Sequence, residues 1–278
     1  MLRTTPGPVV LAAGDIADKH NASKQTAALL RREKEATVLA LGDNAYKCGA
    51  TEDYESFYTP TWGRASIFDR TWACPGNHEF DECGTAGAGY RAFFRSSHAE
   101  AWERSGSKDF YSFEIAGCAW HFVSLNSEVE NGRESRQFQW LREDLSSHPG
   151  KPILAFYHRP RFSSGNHGSQ KDLDDLWRLL CEFKTEIVLN GHDHSYERFH
   201  RLNADGERDP QGTVQFVVGT GGRELDGGGA PKKNSAIKPK KRFGILRLVL
   251  NPTTFDFEFV SVDGEPVDSG EGHAINPH

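Results

Sequence analysis

Five short segments of the sequence contain side chains that can bind a metal ion. The candidate side chains are Asp15, Asp43, Asn77 with His78, His158, and the pair His192 and His194. Carboxylate, amide and imidazole groups are common protein ligands of divalent and trivalent ions. Each segment alone is weak evidence, because Gly-Asp pairs are common and an isolated histidine is more often a surface or core residue than a ligand. Their joint occurrence predicts a metal site.

Each of these segments follows a short apolar run that is typical of a buried strand. The predicted strands cover residues 9–13, 37–41, 71–74, 153–157 and 186–189. In open α/β sheets, ligand sites gather beyond the carboxyl ends of the strands, so residues distant in sequence can converge there. A glycine precedes the key residue in four of the segments, where it permits the sharp turn that directs a side chain off a strand end.

The rest of the chain predicts the layers that surround these strands. Helices are expected at 21–35, 134–145 and 170–182, and two adjacent strands at 109–115 and 119–125. After Glu182 the pattern becomes strand-like, at 213–218, 243–250 and 254–260, which suggests a second sheet packed on the first. Neither an internal repeat nor an interdomain linker is visible. The predicted fold class is α/β, with two mixed β-sheets packed face to face and helices on the outside, in one domain over residues 1–278.

Composition restricts the partners that the protein can have. The chain has 278 residues and a net charge of −6, which argues against a non-specific nucleic-acid binder. No apolar run approaches the roughly 20 residues that span a bilayer, so no membrane association is expected. Residues 1–8 lack a signal-peptide pattern. As given, the chain is expected to be cytoplasmic, with a secreted mature form as the alternative, and its oligomeric state is left open.

The cysteine content does not decide between these compartments. There are five cysteines, an odd number, and no Cys-x-x-Cys pair. Cys48 and Cys83 follow two of the candidate segments in loops, so they could approach each other. Free thiols are the preferred interpretation, and a Cys48–Cys83 disulfide is the alternative.

Taken together, the segments resemble those of the calcineurin-like metallophosphoesterases and, within them, the purple acid phosphatase group. The matching residues are 14–17, 42–46, 76–79, 155–158 and 191–194. The resemblance extends from Asp15 to His194, and the chain length is similar to that of the small members that have only a catalytic domain. It implies the α/β sandwich of that superfamily.

Two positions separate the purple group from the wider superfamily. Most members have Asp-x-His in the first segment, whereas the third position here is Ala17, so one ligand is missing. Tyr46, three residues after Asp43, fills that role in the purple group. A phenolate is a hard anionic oxygen donor that suits trivalent iron. The alternative for Tyr46 is an aromatic ring packed under a loop.

The resemblance implies a role for each matching residue. Asp15, Tyr46 and His194 would bind a first ion, expected to be Fe(III). Asn77, His158 and His192 would bind a second, divalent ion such as Fe, Zn or Mn, and Asp43 would bridge the two. His78 would bind phosphate and protonate the leaving group, a role that suits an imidazole near neutral pH. Glu79 would either orient His78 or face solvent.

Several features of the loops can be interpreted in two ways from the sequence. His167 either contacts substrate or lies in solvent. Lys232, Lys233 and the stretch 238–242 form either a solvated loop or a lid that attracts an anionic substrate. The glycine-rich stretch 219–222 could bring backbone close to the metals. The other histidines have no motif around them and are assigned no role: His20, His98, His121, His148, His200, His273 and His278.

These features predict a phosphomonoesterase with a small-molecule phosphate ester as substrate, acting through attack of a metal-bound hydroxide. A phosphodiesterase on the same site is the nearest alternative, although such enzymes usually keep the Asp-x-His motif that Ala17 breaks. A non-catalytic binding protein on this fold is a further alternative, but such proteins lose ligands, and here every ligand position is filled.

Overall fold

The computed structural model describes residues 7–20, 22–80, 83–227 and 229–274. Its strands are β1 (Val9–Ala13), β2 (Thr37–Leu41), β3 (Thr71–Cys74), β4 (Tyr111–Glu114), β5 (His121–Ser124), β6 (Ile153–Phe156), β7 (Ile187–Asn190), β8 (Tyr196–Phe199), β9 (Val214–Val218), β10 (Ser235–Ile237), β11 (Gly244–Leu250), β12 (Thr254–Ser261) and β13 (Pro266–His273). Its α-helices are α1 (Ser23–Leu30), α2 (Thr51–Asp53), α3 (Ala65–Phe68), α4 (Asn77–Phe80), α5 (Ala88–Phe93), α6 (Arg95–Ser105), α7 (Arg136–Ser146) and α8 (Asp174–Glu182). A π-helical segment, Tyr54–Tyr58, continues α2, and a 3₁₀ turn, Lys171–Leu173, precedes α8.

The strands form two mixed sheets. The first has the order β13-β12-β11-β1-β2-β3, and the second has the order β10-β8-β9-β7-β6-β5-β4. Strands β1, β2 and β3 are parallel in the first sheet, as are β5, β6, β7 and β9 in the second. Parallel neighbours bring their carboxyl ends to one edge of a sheet, where a ligand site can form.

The alternation of side chains along the strands separates two cores. Leu154 and Phe156 of β6 point into a core that they share with first-sheet residues such as Leu39. Ala155, between them, packs instead with residues of α7 and α8, including Trp177. The second sheet therefore faces the first on one side and helices on the other, which confirms the predicted fold class.

The assignment of strands to the second sheet was wrong in part. Segments 243–250 and 254–260, expected in that sheet, form β11 and β12 of the first sheet. Strand β11 pairs antiparallel with β1, with Leu246 opposite Ala12. Only β9, from the predicted segment 213–218, joins the second sheet beside β7. An apolar pattern predicts that a strand exists, but its partner depends on which edge remains open once the rest of the chain has folded.

Segments 47–70 and 79–100, for which the sequence predicts no helix or strand, contain α2, α3, α5, the π-helical segment, the end of α4 and the start of α6. These helices are too short for a clear 3.6-residue period. Aromatic packing holds them together, because Tyr54 stacks on Phe93 with ring centroids 4.4 Å apart. The helix predicted at 21–35 spans only Ser23–Leu30, and its expected start, Asn21, lies outside the described residues.

Two expectations about the whole chain have different outcomes. Across the described ranges, no helix has the length and apolar character required to span a bilayer. The expectation of a single domain over residues 1–278 stays a prediction.

Candidate metal centre

The ends of five parallel strands from both sheets meet at one place. Asp15, Asp43, Asn77, His158 and His192 each follow the carboxyl end of a strand within three residues. Backbone hydrogen bonds hold these ends together: Gly14 N donates to Val218 O at 2.9 Å, and Asp15 N donates to Gly42 O at 3.0 Å. The predicted convergence is therefore present in the structure.

Three of the candidate ligands form a first group beside Asp43. The Tyr46 hydroxyl lies 3.1 Å from Asp15 Oδ1 and 3.1 Å from Asp43 Oδ2, and it lies 3.4 Å from His194 Nε2. His194 Nε2 is also 3.3 Å from Asp15 Oδ1. Tyr46 points into the centre and does not merely pack under a loop.

A second group lies on the other side of Asp43. Asn77 Oδ1 is 3.1 Å from His158 Nε2 and 2.9 Å from His192 Nδ1. His158 Nε2 in turn lies 3.2 Å from Asp43 Oδ2. Asp43 Oδ2 is thus shared between the two groups.

These separations fit metal coordination. Donors bound at about 2.0–2.2 Å to one ion lie roughly 3 Å apart when they are at right angles. The first group consists mainly of oxygen donors, which suit a hard ion, and the second contains two imidazoles, which suit a softer one. The residues present can therefore hold two ions with Asp43 between them.

Backbone carbonyls fix which nitrogen of two of the histidines is available. His158 Nδ1 lies 2.8 Å from Leu41 O, and His194 Nδ1 lies 2.9 Å from Glu224 O. Because a carbonyl only accepts hydrogen bonds, each Nδ1 carries the proton and each Nε2 offers its lone pair to the centre. Such outer hydrogen bonds orient metal-binding histidines in general.

The charges in the centre also favour a cation. Burial acts to lower the pKa of His158, but the Asp43 carboxylate outweighs it and raises that pKa to about 10. Burial likewise acts to lower the pKa of His194, but Asp15 raises it to about 9. An imidazolium cannot bind a metal, so each ring must exchange its proton for an ion, which the same carboxylates attract.

His192 and Tyr46 respond differently to the same surroundings. Burial, followed by repulsion from His158, lowers the pKa of His192 to about 2 and keeps it in the neutral form that binds metals. Burial and the carboxylates of Asp15 and Asp43 raise the pKa of Tyr46 well above its ordinary value. Forming its phenolate therefore requires a strongly charged cation.

The glycines of the motifs act mainly through lack of volume. A Cβ on Gly42 would lie 2.6 Å from His158 Nδ1, and one on Gly191 would lie 2.6 Å from Asp15 Oδ2. Gly42 also has a positive φ of 85°, and the residues that follow Gly14, Gly42 and Gly191 are left-handed as well, with φ of 57° at Asp15, 48° at Asp43 and 71° at His192. Such strain in residues other than glycine persists where the surrounding structure enforces it, often at functional sites.

His78 lies at the rim of the centre, beside a cleft. Its Nδ1 lies 2.6 Å from Lys47 O, so Nδ1–H donates to this carbonyl and Nε2 is left on the side of the site. Nε2 is 3.8 Å from Asp43 Oδ2. The cleft, about 310 Å³, is also lined by Tyr46, Lys47 and Arg223. An acid at this position could reach a group bound in the cleft.

Both expectations for Glu79 were wrong. Its side chain is fully buried and accepts hydrogen bonds from the backbone N–H groups of Asn44, Ala45 and Gly76. It therefore fixes the loops that carry Asp43 and Asn77, and does not orient His78. Burial, and then the Asp43 carboxylate, raise the pKa of Glu79 above its usual range.

His167 is exposed, but it covers one side of the centre. Its ring centroid lies 4.4 Å from that of His192. Asp193, a residue that the sequence did not single out, holds this loop: its Oδ1 accepts from His167 N at 2.8 Å, and its other oxygen accepts from Ser163 Oγ. The position of Asp193 between His192 and His194 is the feature of the sequence that could have indicated this role. Contact of His167 with substrate stays a prediction.

Arg223 is a second residue that sequence reasoning missed. Its guanidinium carbon lies 4.9 Å from the centroid of the Tyr46 ring, and its Nη1 donates to Asp18 Oδ2 at 2.8 Å. The preceding glycine stretch reaches the centre as anticipated, since a Cβ on Gly219 would lie 2.8 Å from Asp15 Oδ2. No motif surrounds Arg223 in the sequence, so only the fold shows its position.

Two lysines of the basic loop form hydrogen bonds with neighbouring loops. The amino group of Lys238 donates to the carbonyls of Ser164 and Gly229 at 3.0 and 3.1 Å, and that of Lys241 donates to Leu225 O at 2.8 Å. These lysines connect neighbouring loops. Closure of the loop as a lid stays a prediction.

Cys48 and Cys83 form a disulfide, so the preferred interpretation of free thiols at these two positions was wrong. The bond connects the loop after Tyr46 to the segment after α4, which carries Asn77 and His78. The alternative was correct because the two loops are adjacent in the fold, which sequence separation did not show. Cys74, Cys118 and Cys181 are free.

The family model for the calcineurin-like phosphoesterases matches residues 8–196, and the chain belongs to this family.

Within that family, the chain is similar to purple acid phosphatases. It is 31% identical to purple acid phosphatase 18 of Arabidopsis thaliana, across 80% of this chain and 52% of the relative. It is 25% identical to a probable inactive purple acid phosphatase 9 of the same plant, across 85% of this chain and 43% of the relative. The chain thus spans about half the length of the curated relatives that it matches.

A solved structure shows the same fold. The purple acid phosphatase PPD1 of yellow lupin, Lupinus luteus, superposes with a TM-score of 0.79 at 19% identity, and the match covers 97% of this chain and 54% of that one.

Proposed function

We propose that this protein is a phosphatase that uses two metal ions to hydrolyse a phosphate monoester. The observation that carries the proposal is the position of Asp43 Oδ2, between the Tyr46 hydroxyl at 3.1 Å and His158 Nε2 at 3.2 Å. A pair of adjacent ions requires a carboxylate that lies next to the donors of both ions, and Asp43 has this position. Two bound ions would neutralise the charge of a phosphate and activate water for its hydrolysis.

The first ion is proposed to be Fe(III), held by Asp15, Tyr46 and His194. The buried Tyr46 hydroxyl has a pKa far above its ordinary value, so a highly charged ion is needed to displace its proton. The second ion, held by Asn77, His158 and His192, is proposed to be divalent Fe, Zn or Mn, because two neutral imidazoles and an amide favour a softer ion.

His78 is proposed to protonate the leaving group. The hydrogen bond from Nδ1 to Lys47 O orients the ring so that Nε2 faces the cleft. His167, over the ring of His192, is proposed to contact the phosphate from the opposite side. A small-molecule phosphate ester could reach both groups from the cleft.

A monoester is favoured over a diester by Ala17. This residue is fully buried and forms a parallel bridge with Ala45, so it supplies no side-chain donor where the Asp-x-His motif would place one.

The disulfide between Cys48 and Cys83 favours the secreted mature form over a cytoplasmic protein, because disulfides persist mainly in oxidising compartments.

The experiment is to replace Asp43 with Ala and to measure metal content and turnover of aryl phosphate mono- and diesters. We expect about two metal equivalents in the native protein, fewer than one in Asp43→Ala, and loss of turnover on the order of 1,000-fold or more. Asp256→Ala, on the exposed face of β12, is the matched control.

The outcomes distinguish the alternatives. Full metal content and turnover in Asp43→Ala would refute the assigned centre. Preference of the native protein for the diester would favour the phosphodiesterase. Less than one equivalent in the native protein would favour a binding protein on this fold. A visible charge-transfer band that Tyr46→Phe abolishes would support a Tyr46 phenolate on Fe(III).

A further inference from the structure

A second set of metal-binding side chains lies at the opposite end of the second sheet. Glu114 ends β4, His121 begins β5, and His148 follows α7. We call these three residues the amino-end cluster. His121 pairs with Ile153 at the start of β6, whereas His158 follows the other end of that strand. The length of strand β6 therefore separates the amino-end cluster from the candidate metal centre.

Hydrogen bonds fix the ring tautomer of both histidines. His121 Nε2 lies 2.7 Å from Asp144 Oδ2, and Ser112 Oγ donates to the other oxygen of this carboxylate at 2.6 Å. His148 Nδ1 lies 2.8 Å from the backbone carbonyl of Asp144. Because both acceptors are oxygens without a hydrogen to donate, the ring proton lies on Nε2 in His121 and on Nδ1 in His148. The lone pairs that remain, on His121 Nδ1 and His148 Nε2, are free to bind an ion.

Both of these nitrogens lie near the same carboxylate oxygen. His121 Nδ1 and His148 Nε2 each lie 4.0 Å from Glu114 Oε1. This separation is too long for a hydrogen bond. All three donor atoms lie within 4.8 Å of one another. Neighbouring ligands of a tetrahedral ion lie about 3.4 Å apart. The His148 ring stacks on that of His121 with centroids 3.8 Å apart, so rotation of the partly exposed His148 and Glu114 side chains would bring the three donors together.

The buried nitrogen of His121 supports a ligand independently of this geometry. The His121 residue is 1% exposed. Its Nδ1 is buried and forms no hydrogen bond with any described residue. A buried polar atom without a partner is costly and calls for an explanation, such as an ion that is not seen. The Asp144 carboxylate on the opposite nitrogen completes the carboxylate–histidine arrangement that supports metal ligands.

We propose that the amino-end cluster binds a divalent transition metal ion, with zinc the best match to two imidazoles and one carboxylate. Glu114, His121 and His148 line a cleft of about 560 Å³ that is also lined by Arg104, Ser105 and Trp140. This cleft has room for water or an anion as the fourth ligand, the arrangement of zinc sites that keep an open position.

Lys151 regulates the site in this proposal. Its amino group forms an ion pair with Glu114 Oε1. The ammonium thus occupies the oxygen that the ion needs, and metal binding must displace it or use the other carboxylate oxygen. Removing this charge should tighten zinc binding about fivefold, the scale of one exposed ion pair.

The test measures zinc uptake by the protein with its own metals already bound, in competition with a chromophoric chelator. We expect the native protein to bind one equivalent more than His148→Gln or Glu114→Gln, and Lys151→Gln to bind that equivalent more tightly. His200→Gln removes an imidazole from another surface and should match the native protein. Both ligand side chains are partly exposed, at 28% for His148 and 50% for Glu114, so these variants should fold.

Thermal melting supplies a second readout. Zinc should raise the melting temperature of the native protein and of His200→Gln, but not that of His148→Gln or Glu114→Gln. The phosphatase turnover of His148→Gln should be unchanged, so this test is independent of the proposed function. Equal zinc uptake by the native protein and both ligand variants would overturn the proposal, as would the absence of any extra uptake at about 100 µM free zinc.

Discussion

The two ends of the second sheet both present histidines, but they present them in different ways. At the carboxyl ends of β6 and β7, His158 and His192 are buried, and their donor atoms lie 3.1 and 2.9 Å from Asn77 Oδ1. At the amino end, Nδ1 of the buried His121 and Nε2 of the partly exposed His148 each lie 4.0 Å from Glu114 Oε1. The carboxyl end is pre-organised by tight glycine turns and strained residues, whereas the amino end depends on side-chain rotation.

The difference indicates where substitutions should be costly. A pre-organised site cannot absorb an added atom, because every neighbour is already in contact. A site on ordinary strand and helix geometry can lose a side chain with little effect on the fold. Four predictions test this contrast, from the largest expected effect to the smallest.

Gly76→Ala should have the largest effect on activity. The added Cβ would overlap Asp43 Oδ1 and would lie 2.8 Å from His158 Cδ2. Displacing the shared carboxylate should lower kcat/KM on the order of 100-fold or more. Gly132→Ala is the control, because nothing lies within 4 Å of its added atom. Equal kcat/KM for the two variants would show that the carboxyl end is not rigid.

Removing the disulfide should lower stability more than activity. In Cys48→Ala with Cys83→Ala, the bond that closes a separation of 35 residues is lost. The free energy of unfolding should fall by about 3–4 kcal/mol, measured by denaturant titration. Reductant should lower the stability of the native protein but not that of the double variant. Cys118→Ala, which removes a free thiol, serves as control, and a reductant-insensitive native protein would contradict the prediction.

Glu79→Gln tests the support beneath the centre. Glu79 Oε2 accepts from Gly76 N at 2.8 Å, and an amide group in its place would set two donors against each other. We expect a loss of about 1–3 kcal/mol in the free energy of unfolding, the cost of an unsatisfied buried group. The exposed Glu52→Gln is the matched control. A full-stability Glu79→Gln would mean that the strand ends are held by other contacts.

His98 should make the smallest contribution at neutral pH, and its effect should become visible only in acid. Burial lowers its pKa to about 3, and no carboxylate among the described residues offsets this as Asp43 does for His158. The unfolded chain, with a histidine pKa of ~6.5, binds a proton that the folded chain rejects. The free energy of unfolding is therefore unaffected by protonation of His98 above pH ~6.5. It decreases as the pH falls toward about 3, by up to about 1.4 kcal/mol per pH unit.

His98→Gln provides the measurement. Its side-chain oxygen can still accept from Ala73 N, which donates to His98 Nε2 at 3.0 Å. The slope of unfolding free energy against pH between 4 and 6 should be shallower than in the native protein. Identical slopes would remove His98 from the account of acid stability.

The sequence alone determined the fold class, and it predicted which residues form the candidate metal centre. Apolar runs that end in Asp15, Asp43 or His158 define strands whose carboxyl ends can converge. The substitution of Ala17 together with Tyr46 indicated the subtype, because both signals are local and depend on residue type and order. The position of Tyr46, 3.1 Å from two carboxylates, agrees with that reading.

Tertiary structure alone decided the partners of these elements. The pairing of β11 with β1, the Cys48–Cys83 bond and the buried position of Glu79 all join segments that sequence patterns treat separately. The amino-end cluster has the same origin, since His121 and His148 have no motif around them. Local patterns determine which elements form, but the contacts between distant elements depend on how the whole core packs.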